Sequence, residues 1–195
     1  MAIYFVDYDA LLLLPAKCGS NWLKHATSQL KLRHVLLGPM ELRSHGGLSF
    51  YGKDFKTIAA FVRHPFDWHI SYWNYRTNVL GQWEPDRAPV DKMCGELNFK
   101  DYIECVYKHF PNRVEEYFSR FIGEQGDRIA FVGRLENLDL DYLSLLKLIG
   151  VNVSDIDLQG IPAKNVQHNR EKDDSLRHIV FENERKFYRE FGYDI

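Results

Sequence analysis

Lys17 and Gly19 stand two residues apart in the stretch PAKCGSNW (15–22), directly after a run of leucines and directly before a helical pattern. A glycine at such a turn lets the main chain come close to a ligand. The helix that follows offers the N–H groups of Gly19, Ser20, Asn21 and Trp22 and the positive end of its dipole. Lys17 adds a full charge, and Ser20 and Asn21 add side-chain donors. The combination fits a phosphate group. It equally fits a plain strand–turn–helix junction with Ser20 as the N-cap and Lys17 in solvent. The spacing is not that of the nucleoside-triphosphate P-loop, G-x-x-x-x-G-K-[ST], where lysine follows the second glycine and a hydroxyl serves magnesium. Here the lysine precedes the glycine, which points to an anion held without a metal.

A second stretch, RHPFDWHISYW (63–73), places Arg63 after an apolar run and Ser71 eight residues later. A guanidinium is a planar fork suited to phosphate. Ser71 can donate to the same anion if its helix face turns inward. The plainer alternative is a structural ion pair for Arg63 and a surface position for Ser71. Taken together, two anion sites at neighbouring strand ends suit a ligand with two separated phosphates.

The elements that position these residues follow from hydrophobic pattern. Residues 2–6, 10–14, 34–38, 57–62 and 128–133 read as strands, and 10–14 is fully apolar, as in a buried parallel sheet. Residues 20–32, 65–75, 98–108, 112–122, 140–150 and 175–192 read as helices, with Pro65 in a first turn and a glycine closing the last. Residues 78–96 and 151–172 read as long loops, the first as a lid or substrate edge. Strands alternating with helices predict an α/β fold with a mainly parallel sheet. In such sheets ligands bind beyond the carboxyl ends of the strands, where both stretches lie.

At 195 residues and 23.0 kDa, with 45% hydrophobic and 27% charged residues, the chain reads as one globular domain, 1–195. Its net charge of −2 argues against a general polyanion-binding surface and against nucleic acid as a partner. The apolar runs fall far short of a membrane span, and the N-terminus lacks the pattern of a signal peptide. Cys18, Cys94 and Cys105 are odd in number and without metal spacing, so no disulfide framework is expected and a cytoplasmic location is the simplest expectation.

Both stretches together resemble the sulfotransferases that use 3′-phosphoadenosine-5′-phosphosulfate (PAPS). The family's first motif, approximately P-K-x-G-(S/T)-(S/T)-W, is matched by AKCGSNW (16–22), with Asn21 in place of the second hydroxyl. The second, R-x-P-x-x-x-x-x-S-x-(Y/W), is matched throughout by 63–73. Downstream, FVGRLENLDLDYLSLLKLIGV looks like the family's strand and helix, and FENERKFYREFGYD looks like the last helix of Golgi carbohydrate sulfotransferases. SHGGLSFYG (44–52) looks like the segment carrying the histidine base of the uronyl 2-O-sulfotransferase type.

The resemblance implies a three-layer α/β/α fold of P-loop-like sulfotransferase type, PAPS as sulfuryl donor, no metal, and a hydroxyl acceptor such as a saccharide. It implies that Lys17 and the 18–22 backbone (Cys18, Gly19, Ser20, Asn21, Trp22) hold the 5′-phosphosulfate, with Trp22 stacking on adenine or packing in the core. Arg63 and Ser71 would hold the 3′-phosphate, joined by Arg170 from the basic loop 162–172. Lys17 would stabilise charge on the leaving oxygen, and His45, with Glu41 as runner-up, would take the acceptor's proton. Asp67 and His69 are expected on the helix surface or the acceptor side. Trp68, Trp73, Tyr75 and Trp83 line the acceptor site or belong to the core. A non-catalytic module that binds the nucleotide or a sulfated glycan, and a nucleotide kinase, are the alternatives.

Overall fold

Ala2–Phe5 and Ala10–Leu13 form strands β1 and β2, joined through a 3-10 turn over Val6–Tyr8. Asp9 ends that turn in the left-handed region (φ 49°), and its carboxylate accepts the Tyr4 hydroxyl proton at 3.0 Å. The structure is a computed structural model and describes residues 1–38, 47–51, 54–81, 83, 88–123, 129–158, 160–161 and 174–194. The described residues of Met1–Arg63 and Phe118–Val166 gather into one compact unit, and those of His64–Tyr117 and Gln167–Ile195 into another.

The first unit is built on a five-stranded sheet that adds β3 (His34–Leu37), β4 (Thr57–Val62) and β5 (Phe131–Arg134), in the order β3-β1-β2-β4-β5. β2 pairs with β4 and β4 with β5 in parallel, whereas β1 is antiparallel to both β2 and β3. The sheet is therefore mixed: four strands share one direction and β1 runs against them. The reason is the connection from Val6 to Asp9, since a parallel crossover needs a dozen residues or more. β2 is buried along its whole length and β4 is buried from Ile58 to Val62, as expected of strands flanked on both sides.

Helices α1 (Ser20–Gln29) and α6 (Leu138–Ile149) meet through Trp22, whose ring stands edge-on to Tyr142 at 5.7 Å. Beside it the Thr27 hydroxyl donates to the Leu23 carbonyl at 2.7 Å and accepts from the Tyr142 hydroxyl at 2.7 Å.

The second unit is helical. It contains α2 (Pro65–Asn74), α3 (Pro89–Cys94), α4 (Phe99–His109), the first turn of α5 (Arg113–Ile122), α7 (Asp174–Asn183) and α8 (Arg185–Phe191). Pro65 opens α2 at its first turn, where its missing N–H is no loss. Asn98 caps α4 by accepting the Asp101 N–H at 3.0 Å. Phe66, Phe99, Tyr102, Ile103 and Val106 form the middle of a core that also takes in Leu176 and Val180 of α7.

Three expectations are corrected here. Residues 78–96 are not one long loop: α2 runs on as a π-helical turn, Tyr75–Leu80, stopped by Gly81 (φ 65°), and α3 follows. Arg76 in that turn pairs with Asp91 of α3 at 3.2 Å, while the Tyr72 hydroxyl donates to the same carboxylate at 2.7 Å. The cysteines are not all free: Cys94 and Cys105 form a disulfide between α3 and α4, with Cα atoms 5.7 Å apart, leaving Cys18 reduced. A disulfide is uncommon in a reducing cytosol, so the cysteine argument for a cytoplasmic chain falls away.

The last helix, expected over 175–192, is two helices broken at Glu184 (φ −117°, ψ 21°). Its carboxylate turns instead to the start of α5, accepting the N–H groups of Val114 at 2.8 Å and Glu115 at 3.0 Å. Among the described residues no helix is long and apolar enough to cross a membrane.

Candidate functional site

From β2 the chain passes through α1 to β3 on one side of the sheet, and from β4 it returns at β5 on the other. The gap between the carboxyl ends of β2 and β4 is thus a topological switch point, the place where open α/β sheets bind ligands. Leu13 lies opposite Ala60 in the parallel register, so the turn after β2 and the residue after β4 emerge side by side.

Lys17 and Arg63 come together there. The Arg63 guanidinium donates through Nη1 to the main-chain carbonyl of Lys17 at 3.2 Å. Lys17 is left-handed (φ 69°) and so is Gly19 (φ 76°). Glycine at 19 has a second justification, because a Cβ there would lie 2.8 Å from Leu135 Cδ1 and 3.3 Å from Leu138 Cδ2. The loop is packed down at Gly19 on the segment after β5.

Gly19 is the N-cap of α1 and supplies no side-chain acceptor. The first-turn N–H groups of Ser20, Asn21 and Trp22 have no acceptor within the helix, and the helix dipole adds positive potential at that point. Ser20 is the first helical residue rather than the cap, and its hydroxyl donates back to the Pro15 carbonyl at 3.1 Å, bracing the loop from inside. Asn21 is exposed.

Cys18 is buried, and its thiol donates to the Ala16 carbonyl at 3.6 Å. Burial raises the thiol well above its ordinary value, outweighing the opposite pull of Arg63 and Lys17, so the sulfur stays protonated and serves packing. Trp22 is only 5% exposed, with its ring against Tyr142. A stacking platform needs an open face, and the Trp22 ring has almost none.

Ser71 belongs to the second unit, on the buried face of α2. His69, expected on the helix surface or acceptor side, is instead fully buried. Its Nε2 lies 2.8 Å from the Tyr107 hydroxyl, which itself donates to Glu184 at 3.0 Å. Since that hydroxyl has one proton and gives it to Glu184, His69 Nε2–H is the donor to Tyr107. Burial lowers the imidazole to about 3, which keeps it neutral. Asp67 lies 4.0 Å from Arg177.

Of the aromatics, Trp68 stacks on Tyr72 at 5.2 Å, Trp73 donates its indole N–H to the Leu97 carbonyl at 2.9 Å, and Trp83 packs on Tyr102 at 5.6 Å. These three serve the core. Glu41, His45 and Arg170 lie outside the described residues.

Sequence reasoning passed over Tyr51, at the end of a 3-10 turn (Leu48–Tyr51). Its hydroxyl is buried with no hydrogen-bond partner among the described residues, and burial raises it to about 12. A buried hydroxyl without a partner is uncommon and is the kind of group a bound ligand satisfies. No sequence signal marks it, because a tyrosine beside Phe50 reads as simple core.

No family model matches the chain, and no curated protein matches it. Among solved structures, a mouse sulfotransferase, SULT7A1, determined in complex with PAP, is 13% identical. The alignment covers 95% of this chain and 83% of that one, with a TM-score of 0.48. A likeness that slight carries no inference about this chain.

Proposed function

We propose that the chain is a sulfotransferase that moves the sulfuryl group of PAPS to a hydroxyl acceptor, a carbohydrate by preference, without a metal. The observation that carries the reading is the meeting of Lys17 and Arg63 at the switch point, beside the uncapped start of α1. The residues fit a bisphosphorylated nucleotide: two cations, a helix N-terminus and a left-handed glycine whose missing Cβ lets the loop pack on Leu135 and Leu138. The donor supplies an activated sulfuryl group, so the protein's part is positioning and charge stabilisation, as in phosphoryl transfer.

Lys17 and the main-chain N–H groups of 18–22 hold the 5′-phosphosulfate. Arg63, Ser71 and Arg170 hold the 3′-phosphate. The Lys17 ammonium meets the negative charge that grows on the bridging oxygen as the acceptor oxygen bonds to sulfur and the sulfur–oxygen bond to the nucleotide breaks. His45, or Glu41 in its place, takes the acceptor's proton, and an imidazole is well matched to that task near neutral pH.

Calorimetric titration with 3′,5′-adenosine bisphosphate and with Mg-ATP tests the reading. Binding of the bisphosphate, weak or absent binding of ATP, and loss of the former in Lys17→Ala are expected. Transfer of label from ³⁵S-PAPS to a panel of saccharides then identifies the acceptor class. Failure of folded wild-type protein to bind the bisphosphate removes the sulfotransferase reading, and binding without transfer to any acceptor favours a non-catalytic module.

A further inference from the structure

The loop between β2 and α1 holds a conformation that its own sequence does not favour. Lys17 is a non-glycine residue at φ 69°, and such left-handed conformations persist only where the surroundings over-determine them. Three contacts do so here. Gly19 is wedged against Leu135 and Leu138, the Ser20 hydroxyl holds the Pro15 carbonyl at 3.1 Å, and Arg63 holds the Lys17 carbonyl at 3.2 Å. The first two act on either side of Lys17, and the third acts on Lys17 itself.

Arg63 is suited to this. It follows β4, which is hydrogen-bonded on both sides, to β2 and to β5, so its backbone is a firm anchor beside the loop. A guanidinium also has donors to spare: one N–H on a carbonyl leaves the rest of the fork available to an anion.

We propose that Arg63 is a positioning residue for the anion-binding loop, fixing the Lys17 carbonyl so that the Lys17–Trp22 backbone is preformed before any nucleotide arrives. This rests on the nucleotide reading for its role in function, but not for the contact itself. It assigns Arg63 a task directed at the 5′ end of the ligand, apart from any grip on a 3′-phosphate.

Cys18, the one free cysteine, supplies a reporter within the loop. Its thiol is buried, so alkylation under native conditions measures how often the loop opens. In Arg63→Ala the labelling of Cys18, followed by mass spectrometry on ligand-free protein, is expected to quicken about tenfold or more, the factor that loss of a charge-assisted hydrogen bond brings. Electrostatics alone would act the other way, because Arg63 favours the Cys18 thiolate and its removal slows the chemistry. Arg63→Lys, which keeps the charge but not the fork, is expected to fall between, and it carries the test if the alanine variant does not fold.

Binding of 5′-AMP, which has no 3′-phosphate, is expected to weaken about tenfold in Arg63→Ala, and that of 3′,5′-adenosine bisphosphate by at least as much. Unchanged Cys18 labelling in a folded Arg63 variant overturns the proposal. So does unchanged 5′-AMP affinity beside a lost bisphosphate affinity, which would make Arg63 a 3′-phosphate ligand only. If wild type binds neither nucleotide, it is the sulfotransferase reading that fails, and the labelling rate alone decides whether Arg63 holds the loop.

Discussion

Replacing Glu184 by glutamine should tilt the pH dependence of stability in a direction that can be worked out from the structure. Glu184 is fully buried, and burial lifts its carboxyl from the ordinary 4.5 to about 7, against the pull of three donors: the Val114 and Glu115 N–H groups and the Tyr107 hydroxyl. Between pH 4.5 and 7 the folded state keeps a proton that the unfolded chain has lost. Stability from this group is therefore greatest at low pH, falls as pH rises through that window, and amounts to about 3 kcal/mol in all.

His69, two hydrogen bonds away, has the opposite sign. Burial lowers it from 6.5 to about 3, so the unfolded chain takes up a proton first and stability falls as pH drops below 6.5. Between pH 4.5 and 6.5 the two slopes, each about 1.4 kcal/mol per pH unit, cancel. The other titratable groups around the carboxylate, Glu115 with its Lys186 partner and the neutral tyrosines 107 and 188, are common to both proteins.

Glu184→Gln removes one slope and leaves the other. Its amide nitrogen set against a backbone N–H adds an offset that does not vary with pH. Relative to wild type, the variant is expected to gain about 3 kcal/mol as pH rises from 4.5 to 7. Urea unfolding followed by tryptophan fluorescence suits the measurement, since Trp68, Trp73 and Trp83 all lie in the same unit as Glu184. A difference that stays flat across the window refutes the reasoning. A difference that shrinks as pH rises towards 4.5 and is flat above it would mean that the three donors outweigh burial and hold the carboxylate ionised.

Gly19→Ala meets two obstacles together, a left-handed backbone and a Cβ placed 2.8 Å from Leu135, and should lose about 1–3 kcal/mol of stability with nucleotide binding weakened in parallel. An unchanged melting midpoint would show that the loop adapts. Tyr51→Phe removes a buried hydroxyl that has no partner among the described residues, so the ligand-free protein should be as stable as wild type or up to about 1 kcal/mol more so. A loss of more than that in thermal unfolding would show a hydrogen bond at that hydroxyl, whereas a loss confined to sulfuryl transfer would place it on a substrate.

Short-range pattern determined much of this protein. The leucine run made β2 a buried strand, Pro65 marked the start of α2, and Gly19 marked a tight turn between a strand and a helix. Those signals lie within a few residues of what they specify, and backbone propensity and hydrophobic period act at that range. Even the reversed strand was legible in principle, because the link from Val6 to Asp9 is too short for a crossover. What tertiary structure decided is whatever depends on a distant partner. Arg63 reaches the Lys17 carbonyl across 46 residues, and Glu184, at a break in a continuous helical pattern, accepts two N–H groups from the start of α5, 70 residues earlier. His69 reads as an amphipathic surface position until Tyr107 satisfies it in the core, and Cys94 reads as a free thiol until α4 brings Cys105 alongside. A buried polar group is tolerated only where its partner is, and no local pattern records where that partner will be.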